Sequence, residues 1–458
     1  MRSIFKIKGS NKMNRDLDLG KESIGKLFLK YSIPSVIGTL IFSIYIVIDG
    51  IFIGRAVGSS GLAAINIAMP FFSTSFAISL MVSVGGSTIT SIELGQGDKE
   101  KARNTFSLAF YSLLSISIIA SIITILFTKE IAIFLGATGE LIKPVCEYLA
   151  ILALFLPVFT CSGYLASGLR TIGKPNYSMI CNIVGSVLNI ILDYIMVIEL
   201  NMGVFGAALA SGIAFAVAFI VAILGYFNKN SVLKFVKCKV DLKKVGRFFY
   251  NGSSEALAEF AFAFSTYLFN IVLINRLGEM GVSAFSIIQY IASLVVAVFL
   301  GISTGISPII SYNYGAKNNK RIGSITKISL VVMTALGIIC TTTLFVGGEG
   351  LIRLFVDGDE ALIETTIGAC KIYSTCFLIS GINILASAYF TALEDAKTSI
   401  IISMLRGIIF ISIGIIILPL FLDINGVWLT VTFAELMTVI ISYRLMKKSY
   451  LSMKLENK

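Results

Sequence analysis

The chain has 458 residues, 56% of them hydrophobic and 14% charged, with a formal net charge of +11. Soluble domains carry about 25% charged residues, so an apolar excess of this size excludes burial in one water-soluble core. There is no histidine, and the seven cysteines fall mostly inside apolar runs, which argues against a zinc or disulfide framework and leaves proton chemistry to carboxylates.

The apolar residues come in blocks of about 20 to 30, long enough to cross a ~30 Å hydrocarbon layer as helices. Runs such as 114–127 show no polar–apolar alternation, so membrane helices rather than a β-barrel are predicted. A basic segment before Lys30 leads into a long first span rather than a cleavable signal. Spans are predicted at about 31–54, 62–93, 104–128, 146–170, 176–199 and 203–227. A loop at 228–247, holding Lys229, Lys234, Lys237, Lys239, Lys243 and Lys244, separates them from a second set. That set is placed at about 248–275, 282–312, 322–346, 366–391, 397–420 and 426–446. The expected organisation is a first six-helix bundle over 1–227 with its N-terminal segment, a cytoplasmic linker over 228–247 and a second bundle over 248–458.

Lys and Arg crowd the N-terminal segment, the central loop, the tail from Arg444 and the hairpins 95–103 and 315–321. The opposite face holds Arg55, Lys129, Lys143, Arg276, Arg353 and Lys371. The positive-inside rule therefore puts both termini in the cytoplasm. The net charge follows from topology, and nucleic acid is not an expected partner, because no basic stripe alternates with aromatics. One stretch, GLRTIGKP at 168–175, nearly spells the phosphate loop G-x-x-x-x-G-K-[ST]. It ends in Pro175, which has no hydroxyl for magnesium, and it follows a membrane helix rather than a strand. It reads as a turn made by Gly173 and Pro175, with Arg170 and Lys174 holding it on the cytoplasmic side.

The two sets of six spans repeat in order. Gly61 corresponds to Gly281, Gly97 to Gly315, Ile133 to Leu354 and Gly203 to Gly426, all offset by about 220 residues. An even number of spans per repeat makes the repeats parallel, related by an axis along the membrane normal, with a cavity between two bundles.

Acids inside the spans are costly and point to function. Asp49 lies in span one, while Asn182, Ser186, Asn189 and Asp193 line one face of span five, and span six offers Ser211. Span seven carries Glu255 and Glu259, four residues apart, with Gln289 on span eight. They read as counter-charges for a cationic substrate, or else as partners of Arg406 or a lysine. Arg406 and Glu435 themselves read as structural partners. Tyr45, Met69 and aromatics of spans seven and eight would complete a cavity for flat lipophilic cations. Pro34, about four turns before Asp49, is a candidate hinge, able to bend span one when Asp49 binds a proton or ion.

The stretches GLAAINIAMPF (61–71), GQGDKEKA (95–102) and LRTIGKP (169–175), with the 6+6 repeat, resemble the multidrug and toxic compound extrusion (MATE) transporters over essentially the whole chain. The resemblance implies an all-α membrane protein, twelve transmembrane helices in two parallel-repeat six-helix bundles. It implies a monomeric antiporter of the bacterial cytoplasmic membrane, exporting small organic cations against inward sodium or protons, without cofactor or catalysis. It also implies a coupling-cation site at Asp49, Asn189, Asp193 and Ser211, a Ser where the family often has Thr. Any sodium would sit at Asp49, Asn189 and Asp193. The second repeat has Leu268 or Phe269 and Gly414 or Ile415 at the equivalent places, so that site is not duplicated. A lipid-linked oligosaccharide flippase of the same broad superfamily is the alternative; it needs a cationic cavity, whereas the in-span charges here are mainly acidic.

Overall fold

Polar caps divide the apolar chain into helices. Asp98, Asp241, Asn318, Asp359 and Asp395 each accept a backbone N–H three residues on, from Lys101, Lys244, Arg321, Leu362 and Thr398. Each cap satisfies one orphan donor of a helix start. The computed structural model describes residues 18–56, 58–227, 231–356 and 358–455, without the side chains of Arg55, Ala56, Ser59, Lys454 and Leu455. The basic N-terminal segment up to Leu17 and Lys229 of the central loop lie outside the described residues.

The first six spans are Ile24–Ala56, Gly58–Gly95, Lys99–Leu126, Ile142–Thr171, Pro175–Asp193 and Gly203–Leu224. Span five is prolonged by a π turn over Tyr194–Glu199, and a short helix Thr128–Phe134 lies between spans three and four. In the second half, the helical stretch Leu242–Gly315 reverses at Gly278 (φ 64°, ψ −152°) to give span seven (242–277) and span eight (279–315). The reversal is visible in side chains: Phe269 stacks on Phe285 at 4.7 Å, and Gln289 Nε2 donates to Thr266 Oγ1 at 3.2 Å. Span nine is Asn319–Ile352.

Span ten, predicted as one run, is two helices, Glu360–Ser374 and Phe377–Ala392, bent by 49°. Span eleven runs from Ala396 through a π turn at Leu405–Ile409, and the chain reverses again at Asp423 (φ 49°, ψ −134°) into span twelve (424–455). Twelve spans therefore result among the described residues. Both ends lie on one face, where Asn319 Nδ2 donates to Met453 O at 2.8 Å and Arg321 Nη2 to Leu19 O at 3.0 Å. This face is the termini side of the molecule.

The repeat is written in the backbone. Left-handed residues pair across the halves: Gly58 with Gly278, Gly97 with Lys317, Gly136 with Gly358, Gly173 with Glu394, and Asn201 with Asp423. These turns correct one sequence pairing. Gly97 corresponds to Lys317 and Gly95 to Gly315, because only Gly97 and Lys317 occupy the same place before the caps Asp98 and Asn318.

The stretch around Gly173 is a turn between two helices, with Pro175 in the first helical turn. Its basic residues face inward, not outward as a simple anchor would. Arg170 Nη1 donates to Ser178 Oγ at 2.9 Å, Tyr31 donates to Arg170 O at 3.0 Å, and Lys174 Nζ caps span six at Gly225 O, 3.1 Å away. The linker likewise is a strap on the first bundle: Arg103 Nε donates to Val232 O at 2.7 Å, Leu233 is buried, and Phe235 packs edge-on against Phe110 at 4.9 Å.

The bundles meet along a seam in the termini half. A β-carbon added to Gly85 would lie 2.0 Å from Phe248 O, one on Gly252 2.0 Å from Met81 O, and one on Gly315 2.0 Å from Ile92 O. Backbones this close are possible only without a side chain. Gly301 and Gly305 of span eight approach Val36 and Tyr31 of span one in the same way. Thr39 Oγ1, donating to Ala297 O at 2.8 Å, is the last hydrogen bond along this contact among the described residues. Outward of it, large apolar side chains such as Leu126, Phe134, Leu420 and Phe421 are exposed, as a lipid-facing surface requires.

Candidate functional site: paired carboxylates in the first bundle

Spans one and five run parallel, and their registers agree. Gly38 packs against Asn182; eleven residues further along each helix, Asp49 and Asp193 meet side chain to side chain. Eleven residues are about three helical turns, so both acids fall on the facing stripes. The predicted stripe of span five is buried at Ser186, Asn189 and Asp193, the last with 0% exposure. Asn189 Nδ2 donates to Asp193 Oδ2 at 2.9 Å, and its Oδ1 accepts from Ser211 Oγ at 3.0 Å and Ser211 N at 3.2 Å. Thus Asp49, Asn189, Asp193 and Ser211, drawn from spans one, five and six, form one cluster.

One oxygen of each acid, Asp49 Oδ1 and Asp193 Oδ1, is buried without a hydrogen-bond partner. Two carboxylates this close, each with a buried oxygen lacking a partner, favour a shared proton or a cation between them. Hard oxygen donors from carboxylate, amide and hydroxyl groups suit sodium. Among the described residues no group of three or more acidic, thiol or imidazole side chains converges.

Tyr45 belongs here rather than with the span-seven acids. It is buried, and with Tyr148 of span four it lies within electrostatic reach of both aspartates. Sequence reasoning missed Tyr148, because a lone tyrosine in an apolar span carries no periodic signal. Met69 is 42% exposed on span two. Pro34 is buried within span one, which runs as one helix from Ile24 to Ala56.

The acids of span seven occupy a different position. Phe248 and Gly252 touch span two across the seam, and Glu255 and Glu259 continue the same helical stripe outward (i, i+4, i+7, i+11). Among the described residues neither makes an ion pair. Arg406 does not pair with them: its Nε donates to Glu435 Oε1 at 2.6 Å, and Asn383 Nδ2 holds Glu435 Oε2 at 2.6 Å. Glu435 pairs with Arg406, so among the described residues Glu255 and Glu259 are left without an ion pair, although Arg406 lies within electrostatic reach of Glu255. Gln289 is not beside them. It bonds Thr266, eleven residues or about 16 Å along span seven from Glu255, and accepts from Tyr373 OH at 3.4 Å. At the places equivalent to Asp49 and Asp193, the fully buried Phe269 stacks on Phe285, and Gly414 packs on Phe433 and Thr430.

Known proteins share this architecture. The MatE family model matches residues 34–195 and 256–416, one match in each bundle. The chain is 29% identical to the multidrug export protein MepA of Staphylococcus haemolyticus strain JCSC1435 over 416 residues, 91% of both chains. It is 28% identical to MepA of Staphylococcus aureus strain NCTC 8325 over 418 residues, 91% of this chain and 92% of the relative. Among solved structures it superposes with a TM-score of 0.91 on the outward-facing conformation of a multidrug resistance MATE family transporter of the MOP superfamily, at 21% identity, over 97% of this chain and 99% of that one.

Proposed function

The chain belongs to the MatE family, and from that membership we propose that it exports multiple organic, mostly cationic, compounds in exchange for an inward-moving sodium ion or proton. The observation that carries the coupling is the cluster of Asp49, Asp193, Asn189 and Ser211, in which two buried carboxylate oxygens lack a partner. A cation or proton at that place neutralises the pair and draws span one onto span five. Pro34, whose ring removes one backbone hydrogen bond from span one, gives the helix a place to bend as the pair fills and empties.

The termini side is the cytoplasmic side in this reading. The positive-inside bias supports it, as does the outer face, where Arg276 and Arg353 are engaged by Asp423 at 2.7 Å and Glu360 at 2.8 Å. The seam is then closed towards the cytoplasm, and the cleft outside it presents Glu255 and Glu259 to a cation. Ion and substrate occupy different bundles and compete through the shared conformational equilibrium.

Efflux of ethidium from proteoliposomes under separately imposed sodium and proton gradients tests the proposal. Export should follow one of the two gradients and vanish without both. Export that ignores both gradients overturns the coupling.

A further inference from the structure

Glu93 is a buried acid that the coupling site does not use. It lies near the termini end of span two, 2% exposed, and accepts from Thr105 Oγ1. Its Oε1 lies 3.3 Å from Lys244 Nζ and 3.9 Å from Lys101 Nζ. Lys101 belongs to its own bundle, whereas Lys244 is in the first turn of span seven, in the other bundle. Glu93 therefore holds the start of the opposite repeat.

The second repeat does the same in reverse. By the register of the left-handed turns, Asn313 is the counterpart of Glu93 and Arg321 of Lys101. Asn313 Oδ1 accepts from Arg321 Nε at 3.0 Å, as Glu93 attracts Lys101. Asn313 Nδ2 then donates to Leu19 O at 3.2 Å, and Arg321 Nη2 donates to Leu19 O at 3.0 Å and Glu22 O at 2.7 Å. Leu19 and Glu22 precede span one as Asp241 and Lys244 open span seven. Each bundle thus grips the start of the other, once through a buried acid on a lysine and once through an amide and a guanidinium on backbone carbonyls.

Both grips flank the glycine contacts Gly95 on Tyr312 and Gly315 on Ile92. Such close backbone packing is short-ranged and loses up to about half of its attraction once separated by about an ångström. A polar clamp at its edge would hold the seam against opening outward from the termini face. We propose that Glu93 with Lys244, and Asn313 with Arg321 on Leu19 and Glu22, form a pseudo-twofold latch that keeps the termini side of the cleft closed. Transport of substrate from that side requires both halves to release. The role in turnover rests on the export reading proposed above; the role in closure does not.

Hydrogen exchange of the full chain in lipid nanodiscs tests the latch without transport. Lys244→Met and Arg321→Met should each accelerate exchange in 81–95, 242–252 and 305–316 by about tenfold, as loss of the ion-pair partner of a buried acid in the first and of charged hydrogen bonds in the second implies. The double variant should exceed either single one, and span ten (360–392) should exchange as in the parent. Glu93→Gln should match Lys244→Met; because Glu93 is buried, the partly exposed Lys244 serves as the variant that folds regardless. Unchanged seam exchange in both single variants overturns the latch, and so does a uniform rise that includes span ten. Faster seam exchange in a protein that exports nothing leaves the latch standing and removes the transport reading.

Discussion

Replacing Asp193 with Asn keeps the shape of the coupling cluster and removes one charge. A monovalent cation about 4 Å from a carboxylate gains about 4 kcal/mol at an effective dielectric constant near 20. The substituted amide still offers one carbonyl oxygen, and a neutral contact of that kind recovers about 1 kcal/mol. The net loss is about 3 kcal/mol, or roughly two decades in ion affinity at 1.4 kcal/mol per decade. Asn189 loses its acceptor at Asp193 Oδ2 but can meet the new amide oxygen, so folding should survive. The assay is gradient-driven ethidium efflux from proteoliposomes, measured against sodium concentration at several fixed pH values, with thermal unfolding as the control. The ion concentration for half-maximal export should rise about a hundredfold, with an unfolding midpoint near that of the parent. Parent-like ion dependence in this variant would falsify the assignment of the pair, and Glu255 with Glu259 would then be the next candidates.

Replacing both Asp49 and Asp193 with Asn should abolish the dependence of drug affinity on sodium and pH, measured by binding to purified protein; persistence of full linkage means the ion binds elsewhere. Glu255→Gln should weaken cationic substrates by about tenfold and neutral ones by less than about twofold, since only a Coulomb interaction is removed; equal losses in binding titrations assign Glu255 a structural role. Glu435→Ala strands the Arg406 guanidinium and should cost about 3–5 kcal/mol by denaturant unfolding, whereas Arg406→Met combined with Glu435→Leu should recover most of it; a mild single variant refutes the pairing as a stability element. Gly252→Ala would put a β-carbon 2.0 Å from Met81 O, and the forced separation should cost about 1–3 kcal/mol and raise seam hydrogen exchange; unaltered exchange would show that the seam tolerates a side chain there.

Much of this protein was legible as sequence because the bilayer simplifies the problem. Backbone groups in hydrocarbon must bond within their own helix, so apolar length alone yields span number, and the twelve predicted spans are found among the described residues. The stripe Asn182, Ser186, Asn189, Asp193 was equally readable, since polar residues at helical spacing in a membrane must share an interior face. Chain reversals were harder to place. Lys317, Glu394 and Asp423 occupy left-handed turns where the first half has Gly97, Gly173 and Asn201, so matching glycine to glycine paired Gly97 with the wrong residue. The bend in span ten was hidden for a related reason: no proline or glycine lies between Ser374 and Phe377 to mark it.

The sequence by itself determined the class, the span count, the repeat and the acids worth attention, because each depends on local composition and helical period. Only the tertiary structure decided which acids share a site. Asp49 and Asp193 are 144 positions apart, and they meet because Gly38 lets span one settle on Asn182 in matching register. Glu255, Glu259 and Gln289 looked like one group and are not, because Gln289 returns on span eight at the level of Thr266. Arg406 went to Glu435 rather than to Glu255, a choice set by the reversal at Asp423 that brings span twelve alongside span eleven. Charge attraction is non-directional, so a list of buried acids and bases does not specify their partners; helix register and the turns that set it do.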